Sequence, residues 1–294
     1  MKILVTGRDG QVGYELQRSL QGLGEIVAVN AEAMDLADFD AIRAVMREVR
    51  PALVVNPAAY TAVDKAESEP ETAMRINGEA PGIIAEEARK LGAAVIHYST
   101  DYVFDGHKDG AYTEDDVPMP LNVYGRTKLA GEQAVQASGA AHLILRTSWV
   151  YGQRGRNFLL TVRRLAAERD ELRIVDDQYG APTWCRTIAD TTAHIVAKLG
   201  AEQQGADGID LDLWQAKSGL YHLTAQGRTS WHGFAQAIVA HWSCERKPAV
   251  VPIGAKDYPT PARRPVNSVL SCRKLTETFC GLPKWDDALS LCLD

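Results

Sequence analysis

A chain of 294 residues has room for one large domain or two ordinary ones, and its 46% apolar and 24% charged content is that of a soluble globular protein. The net charge of −6 argues against a nucleic-acid backbone or an anionic membrane as the main partner, while leaving room for a local basic site that takes a phosphorylated small molecule. The N-terminal run MKILVTG is too short for a signal peptide, no stretch approaches a bilayer span, and the five cysteines (Cys185, Cys244, Cys272, Cys280, Cys292) form no C-x-x-C pair, so reduced thiols in a cytoplasmic protein are expected.

Apolar, β-branched runs that suit buried strands fall at 2–7, 25–30, 52–60, 93–100 and 141–148. Helical periodicity fills the gaps at about 11–22, 38–49, 70–90 and 123–138. This alternation predicts βαβ units in a doubly wound parallel α/β sheet, with ligands bound outside the carboxyl ends of the strands. After about residue 150 the rhythm loosens. Helices are expected at 157–169, 186–199 and 231–242, short strands near 172–176 and 220–224, a loop over 200–219, and an extended proline-rich segment over 251–268. The expected division is a nucleotide-binding domain at 1–150 and a smaller, less regular substrate lobe at 151–294. Segments at about 172–199 and 220–225 are expected to return to the first domain.

At the first strand-to-helix junction, TGRDGQVG spaces Gly7, Gly10 and Gly13 as G-x-x-G-x-x-G. Glycines there permit a tight turn and let backbone N–H groups approach a pyrophosphate at the helix N-terminus. A bare turn is the competing reading, and the motif's place in the α/β pattern favours the cofactor. The second strand ends in Asn30 rather than an acid, with Asp35 and Leu36 following and Arg8 in the glycine loop. An uncharged Asn30 tolerates either a ribose 2′-hydroxyl or a 2′-phosphate, so NADPH and NADH both remain open. Small residues Ala58 and Ala59 follow the third strand, where a flat cofactor lies close or packing is simply tight. Ser99, Thr100 and Asp101 end the fourth strand, as crevice-facing polar groups or as a turn cluster. His97, within that strand, reads as a core histidine.

In NVYGRTKLAGEQ, Asn122 is a suitable N-cap, and Tyr124 and Lys128 share one helix face at i, i+4. A free tyrosine titrates near pH 10. A neighbouring lysine cation is expected to stabilise the phenolate, lower that pKa and make Tyr124 a better acid.

The ordered set TGRDGQVG, STDYVFDG and YGRTK resembles the extended short-chain dehydrogenase/reductases. AAYTAVDKAE, PLNVYGRTKLAGE, RTSWVYG, DDQYGAPT and PTPARRPVNSVL narrow the resemblance to a branch that reduces dTDP-sugars, over nearly the whole chain. The resemblance implies hydride transfer from NADPH or NADH to a 4-keto sugar, for cell-surface polysaccharide synthesis. Tyr124 would be the proton donor, Lys128 would hold the nicotinamide ribose, and Thr100 would bind the substrate oxygen. It assigns Gly10, Gln11, Val12, Asp35, Leu36, Ala58, Ala59, Tyr60 and Tyr98 to the cofactor. Asp101 and Trp149 are assigned to the sugar, and Asn157, Arg263 and Arg264 to the nucleotide end. Taken alone, Trp149 would more often be a core aromatic, Asn157 a helix start, and the two arginines a solvated loop.

Some members of this family are dimers bridged by a metal through acidic residues. Here Glu15 is present but Arg186 stands where another acid would be needed, so no structural metal is expected, and a monomer or weak homodimer follows. Two alternatives remain. One is a related nucleotide-sugar epimerase or dehydratase, although Tyr102 replaces the second acid that dehydratases carry after the threonine and Asp101. The other is a non-catalytic, NADP-binding regulatory subunit.

Overall fold

The computed structural model describes residues 1–202, 208–241 and 247–294. Six parallel strands form the central sheet: β1 (Lys2–Val5), β2 (Glu25–Ala28), β3 (Leu53–Asn56), β4 (Ala94–Thr100), β5 (His142–Thr147) and β6 (Gly219–His222). Their spatial order is β6-β5-β4-β3-β1-β2. The chain winds outward in one direction from β1 to β2 and in the other from β1 through β3, β4 and β5. The strand order therefore reverses beside β1, which opens a crevice at its carboxyl end. This is the doubly wound, Rossmann-type α/β architecture.

The central strands are predominantly apolar because helices cover both faces, with polar residues gathered toward the carboxyl ends of β4 and β5. On one face, Ile3, Val5, Ile96, Leu143 and Leu145 pack against Leu16 of the helix Gln11–Ser19 and Ile188 and Ile195 of the helix Cys185–Glu202. On the other, Leu4, Val54, Val95 and Ile144 meet Ile42 and Met46 of Phe39–Val49, Ile84 and Ala88 of Ala80–Leu91, and Val135 of Val123–Ala137. A third core, built on Tyr151, Leu159, Phe234 and Leu289, belongs to the later part of the chain.

Several local features differ from expectation. The helical stretch at 70–90 is interrupted by a π-helical turn at Arg75–Glu79, which places Asn77 where both ends of its amide find partners. Its Oδ1 accepts from Tyr60 N at 2.8 Å, and its Nδ2 donates to Tyr60 O at 3.0 Å and to Thr127 Oγ1 at 3.2 Å. One residue thus pins the loop after β3 to the Tyr124 helix. The expected loop at 200–219 contains a helix at Leu211–Lys217, capped by Asp210, whose Oδ1 accepts from Leu213 N; residues 203–207 lie outside the described residues. The strand Glu171–Val175 does not rejoin the central sheet. It pairs in parallel with Ala249–Ile253, at the start of the segment expected to be merely extended. By contrast, Cys185–Glu202 and β6 pack within the Rossmann core. No helix among the described residues is long and apolar enough to cross a membrane. Cys185, Cys272, Cys280 and Cys292 carry free thiols, and Cys244 lies outside the described residues.

The helix Val123–Ala137 sits close to its neighbours because of two glycines. A Cβ at Gly125 would fall 2.1 Å from the Tyr102 carbonyl oxygen, and one at Gly131 would fall 2.1 Å from that of Asn77. Both contacts are with backbone, which has little room to yield. Gly131→Ala should therefore destabilise the protein by about 1–3 kcal/mol through overpacking. A lower urea midpoint at unchanged m value would report it.

Candidate active site

The crevice has a volume of about 700 Å³ and gathers residues from every strand end between β2 and β5. Its floor is the glycine loop. Gly7 adopts φ +59°, and a Cβ there would lie 3.0 Å from that of Ala58, so the turn and the close approach both require glycine. Gly10 caps the helix Gln11–Ser19 without any side-chain hydrogen bond, which leaves the first-turn N–H groups of Gln11, Val12 and Gly13 without a side-chain acceptor at the crevice wall. An uncapped helix N-terminus beside Ala58 and Ala59 fits a dinucleotide pyrophosphate. Asn30, Asp35 and Leu36 line the β2 side. The Asn30 side chain accepts from Ala33 N at 3.2 Å and that of Asp35 from Ala37 N at 2.8 Å, so both are held by their own turns. Arg8 donates its backbone N–H to Val29 O, and its side chain is 48% exposed beside Asp9.

Thr100, Asp101, Tyr124, Lys128 and Trp149 line the other end of the crevice. Asn122 caps the helix by accepting from Gly125 N at 2.7 Å, which sets Tyr124 in the first turn. The Tyr124 ring meets Tyr102 edge to face, with centroids 6.0 Å apart. Lys128 is 2% exposed and donates from Nζ to the Tyr98 carbonyl at 2.5 Å. Tyr98 serves the site through that carbonyl, since its hydroxyl bonds Thr192 at 2.7 Å in the core.

The electrostatics correct one expectation. Tyr124 is pushed up to about 12, first by burial and then by Asp101, with the Thr100 hydroxyl opposing. Lys128 donates to the Tyr98 carbonyl, and burial drops it to about 8 against the opposing charge of Glu132. Asp101 is 2% exposed, and burial raises its carboxyl to about 7. Its Oδ1 accepts from Thr100 at 3.0 Å, and Ser268 and Thr100 both favour the anion, yet Oδ2 has no partner within hydrogen-bonding geometry. Ser99 Oγ and Thr147 Oγ1 are likewise buried and unpartnered. Unmatched polar atoms at a crevice wall are costly unless a ligand completes them.

Four expected contacts do not line the crevice. Tyr60 donates its hydroxyl to Glu69 at 2.7 Å. Asn157 caps the helix Phe158–Glu168 and donates to Gln11 Oε1 at 2.8 Å, supporting the glycine loop from behind. Arg264 pairs with both oxygens of Asp64 at 2.8 and 3.0 Å. Arg263 is exposed, and its carbonyl accepts from Asn122 Nδ2.

Trp231 and Arg156 line the crevice without having been singled out from the sequence. Trp231 stacks on Trp149 at 3.6 Å between centroids and 6° between planes, and the Trp149 indole lies over Gly180, where a Cβ would fall 2.4 Å from Cε2. No metal-ligating cluster occurs among the described residues, and Arg186 stands 3.9 Å from Glu15.

The family profile described as the RmlD substrate binding domain matches residues 1–294. The chain belongs to the RmlD family. A Burkholderia thailandensis protein named dTDP-4-dehydrorhamnose reductase is 49% identical over 300 residues, spanning 100% of this chain and 98% of that protein. The crystal structure of a Clostridium acetobutylicum dTDP-4-dehydrorhamnose reductase superposes with a TM-score of 0.90 at 35% identity, over 100% of this chain and 99% of that one. The Bacillus anthracis enzyme of the same name, solved in complex with NADP, superposes at 0.89 and 31% identity, over 99% and 98%. In this RmlD-family chain, the crevice described above meets the requirements of a nicotinamide dinucleotide.

The raised Asp101 carboxyl has a measurable consequence. Unfolded aspartate titrates near 3.9, so the folded protein holds this proton more tightly, and stability falls as pH rises from about 4 to 7. Asp101→Asn removes that titration. Its stability relative to the parent should increase by about 2–4 kcal/mol across the same window, read from urea melts at a series of pH values; parallel curves would contradict the assignment.

Proposed function

We propose that this chain reduces the 4-keto group of dTDP-4-dehydro-L-rhamnose to give dTDP-L-rhamnose, using NADPH or NADH. The observation that carries the reading is the single crevice that holds an uncapped glycine-loop helix at one end and Thr100, Tyr124 and Lys128 at the other. The near full-length match to proteins named for this reaction supports the substrate. The nicotinamide, when bound, supplies the hydride. Residues 1–150 would carry it, and residues 151–294 would mainly carry the sugar nucleotide.

In this reading, Tyr124 gives its proton to the oxygen at C4 as negative charge develops there. A phenol held near 12 is a reluctant acid in the unliganded protein. It remains protonated until an alkoxide, which is a far stronger base, forms beside it. Thr100 donates to that same oxygen and limits its charge. Lys128 keeps a cation at the cofactor ribose. Asp101 lies against Tyr124 and Thr100, and its unpartnered oxygen would take a sugar hydroxyl. The Trp149–Trp231 pair forms an apolar wall for the sugar's methyl-bearing face.

Two groups assigned to the nucleotide end would act indirectly. Arg264, fixed by Asp64, would hold the 260–266 segment at the crevice mouth, and Asn157 would brace Gln11. The intact Tyr124–Lys128 pair favours catalysis over a purely regulatory role.

Tyr124→Phe should reduce turnover by about 10²–10⁴-fold with nearly unchanged cofactor affinity. The assay follows NADPH and NADH oxidation with enzymatically generated dTDP-4-dehydro-L-rhamnose, with chromatography of the sugar product. Near-normal turnover of the variant would remove Tyr124 as the acid, and the two cofactor rates would show what Asn30 and Arg8 select.

A further inference from the structure

Below the crevice, between the Tyr124 helix and the sheet, lies a layer of buried charge that the reaction itself does not touch. Glu132 is one helical turn past Lys128 on the same face of Val123–Ala137, and both are 2% exposed. Arg146, on β5, grips Glu132 with a two-point pair: Nε to Oε1 at 2.8 Å and Nη2 to Oε2 at 2.6 Å. The guanidinium carbon lies 5.0 Å from the centroid of the Phe104 ring, and Nη1 has no hydrogen-bond partner. A buried ion pair of this kind is not an efficient source of stability compared with apolar packing. Its presence under a working lysine calls for another reason.

The groups around Lys128 supply one. From β4 come the Tyr98 carbonyl, which accepts its proton, and His97, which burial and Lys128 itself keep neutral. The turn Asp101–Val103 contributes Asp101 and Tyr102, and Asp101 acts on the two tyrosines. Asn77, from the π turn, does not ionise. On the lysine's own helix, Tyr124 is neutral and Glu132 is the charge that opposes the effect of burial on the ammonium. On the neighbouring strand, His222 pairs in register with Arg146 and is held neutral by burial and by that arginine.

We infer that Glu132 is a positioning residue for Lys128: it supplies the buried negative charge that faces the ammonium, while Arg146 occupies both carboxylate oxygens and so prevents Glu132 from capturing it. The ammonium then stays charged in a dry site and keeps its donors for the Tyr98 carbonyl and the ligand. Without Glu132, burial would act on Lys128 unopposed and the ammonium would lose its proton at lower pH. Without Arg146, the carboxylate would be free to bond Lys128 directly and draw it down the helix.

The inference rests on the proposed role of Lys128, so the test separates the two. Lys128 is titrated in the cofactor-free protein by NMR of isotopically labelled lysine, with its signal assigned through Lys128→Met. The pH dependence of kcat is measured in parallel. Glu132→Gln should move both the Lys128 midpoint and the alkaline limb of kcat to lower pH. Turnover at about pH 8.5 should drop roughly threefold, while turnover at about pH 6.5 holds. Glu132→Asp, which retains the charge, should leave both in place.

Because Glu132→Gln strands a buried guanidinium, the double variant Glu132→Gln/Arg146→Met guards against simple misfolding. It should still show the acid shift. An unchanged Lys128 midpoint in the folded double variant, or a loss of kcat that is equal at all pH values, would overturn the inference. If the parent protein lacked reductase activity altogether, the NMR titration would still decide the role of Glu132.

Discussion

An ammonium taken out of water is the constraint around which this site is built. Burying Lys128 costs free energy that grows with every polar group it fails to meet. The surroundings accordingly give it a carbonyl at close range, a carboxylate one turn away and a neutral histidine beside it. Each of those partners in turn needs its own support. The Tyr98 carbonyl is fixed by β4. His97 is held by Asn56, whose amide nitrogen lies 3.2 Å from Nδ1 and whose carbonyl accepts from Thr6 at 2.6 Å. Polar contacts thus run from β1 through β3 to β4 directly beneath the crevice. The site's chemistry and the sheet's order are the same set of bonds seen from two sides.

The close approach of the Tyr124 helix makes this possible. Gly125 and Gly131 bring its backbone against Tyr102 and Asn77, and the π turn rotates Asn77 so that its amide joins that helix to the loop after β3. A side chain at either glycine would push the helix away from these turns and shift Lys128 relative to the Tyr98 carbonyl. The placement of Lys128 thus depends on two missing methyl groups.

The alternating strands and helices were legible because strands covered on both faces are mostly apolar, and helices must be amphipathic. The glycine loop and the Tyr124–Lys128 spacing were legible for a similar reason, since each is a local pattern with one geometric meaning. What escaped depends on partners distant in the chain. Trp231 joins the crevice through Trp149, 82 positions earlier, and the strand Glu171–Val175 finds its partner only at Ala249–Ile253. Arg264 read as a ligand-seeking cation, but its charge is met by Asp64, on the far side of the sequence. The upward shift of Tyr124 could not be read from i, i+4 spacing, because it reflects desolvation and the buried Asp101 carboxyl beside it.

Trp149 shows where shape has been favoured over ease of folding. Its φ of +47° is a left-handed conformation that a bulky side chain adopts at a cost of about 1–2 kcal/mol. The surroundings enforce it: Gly180 clears a space for the indole, and Trp231 lies flat against it. Glycine at 149 would relax the backbone and erase the wall. Selection for thermal resilience alone would therefore drift toward a sturdier molecule with a featureless crevice wall.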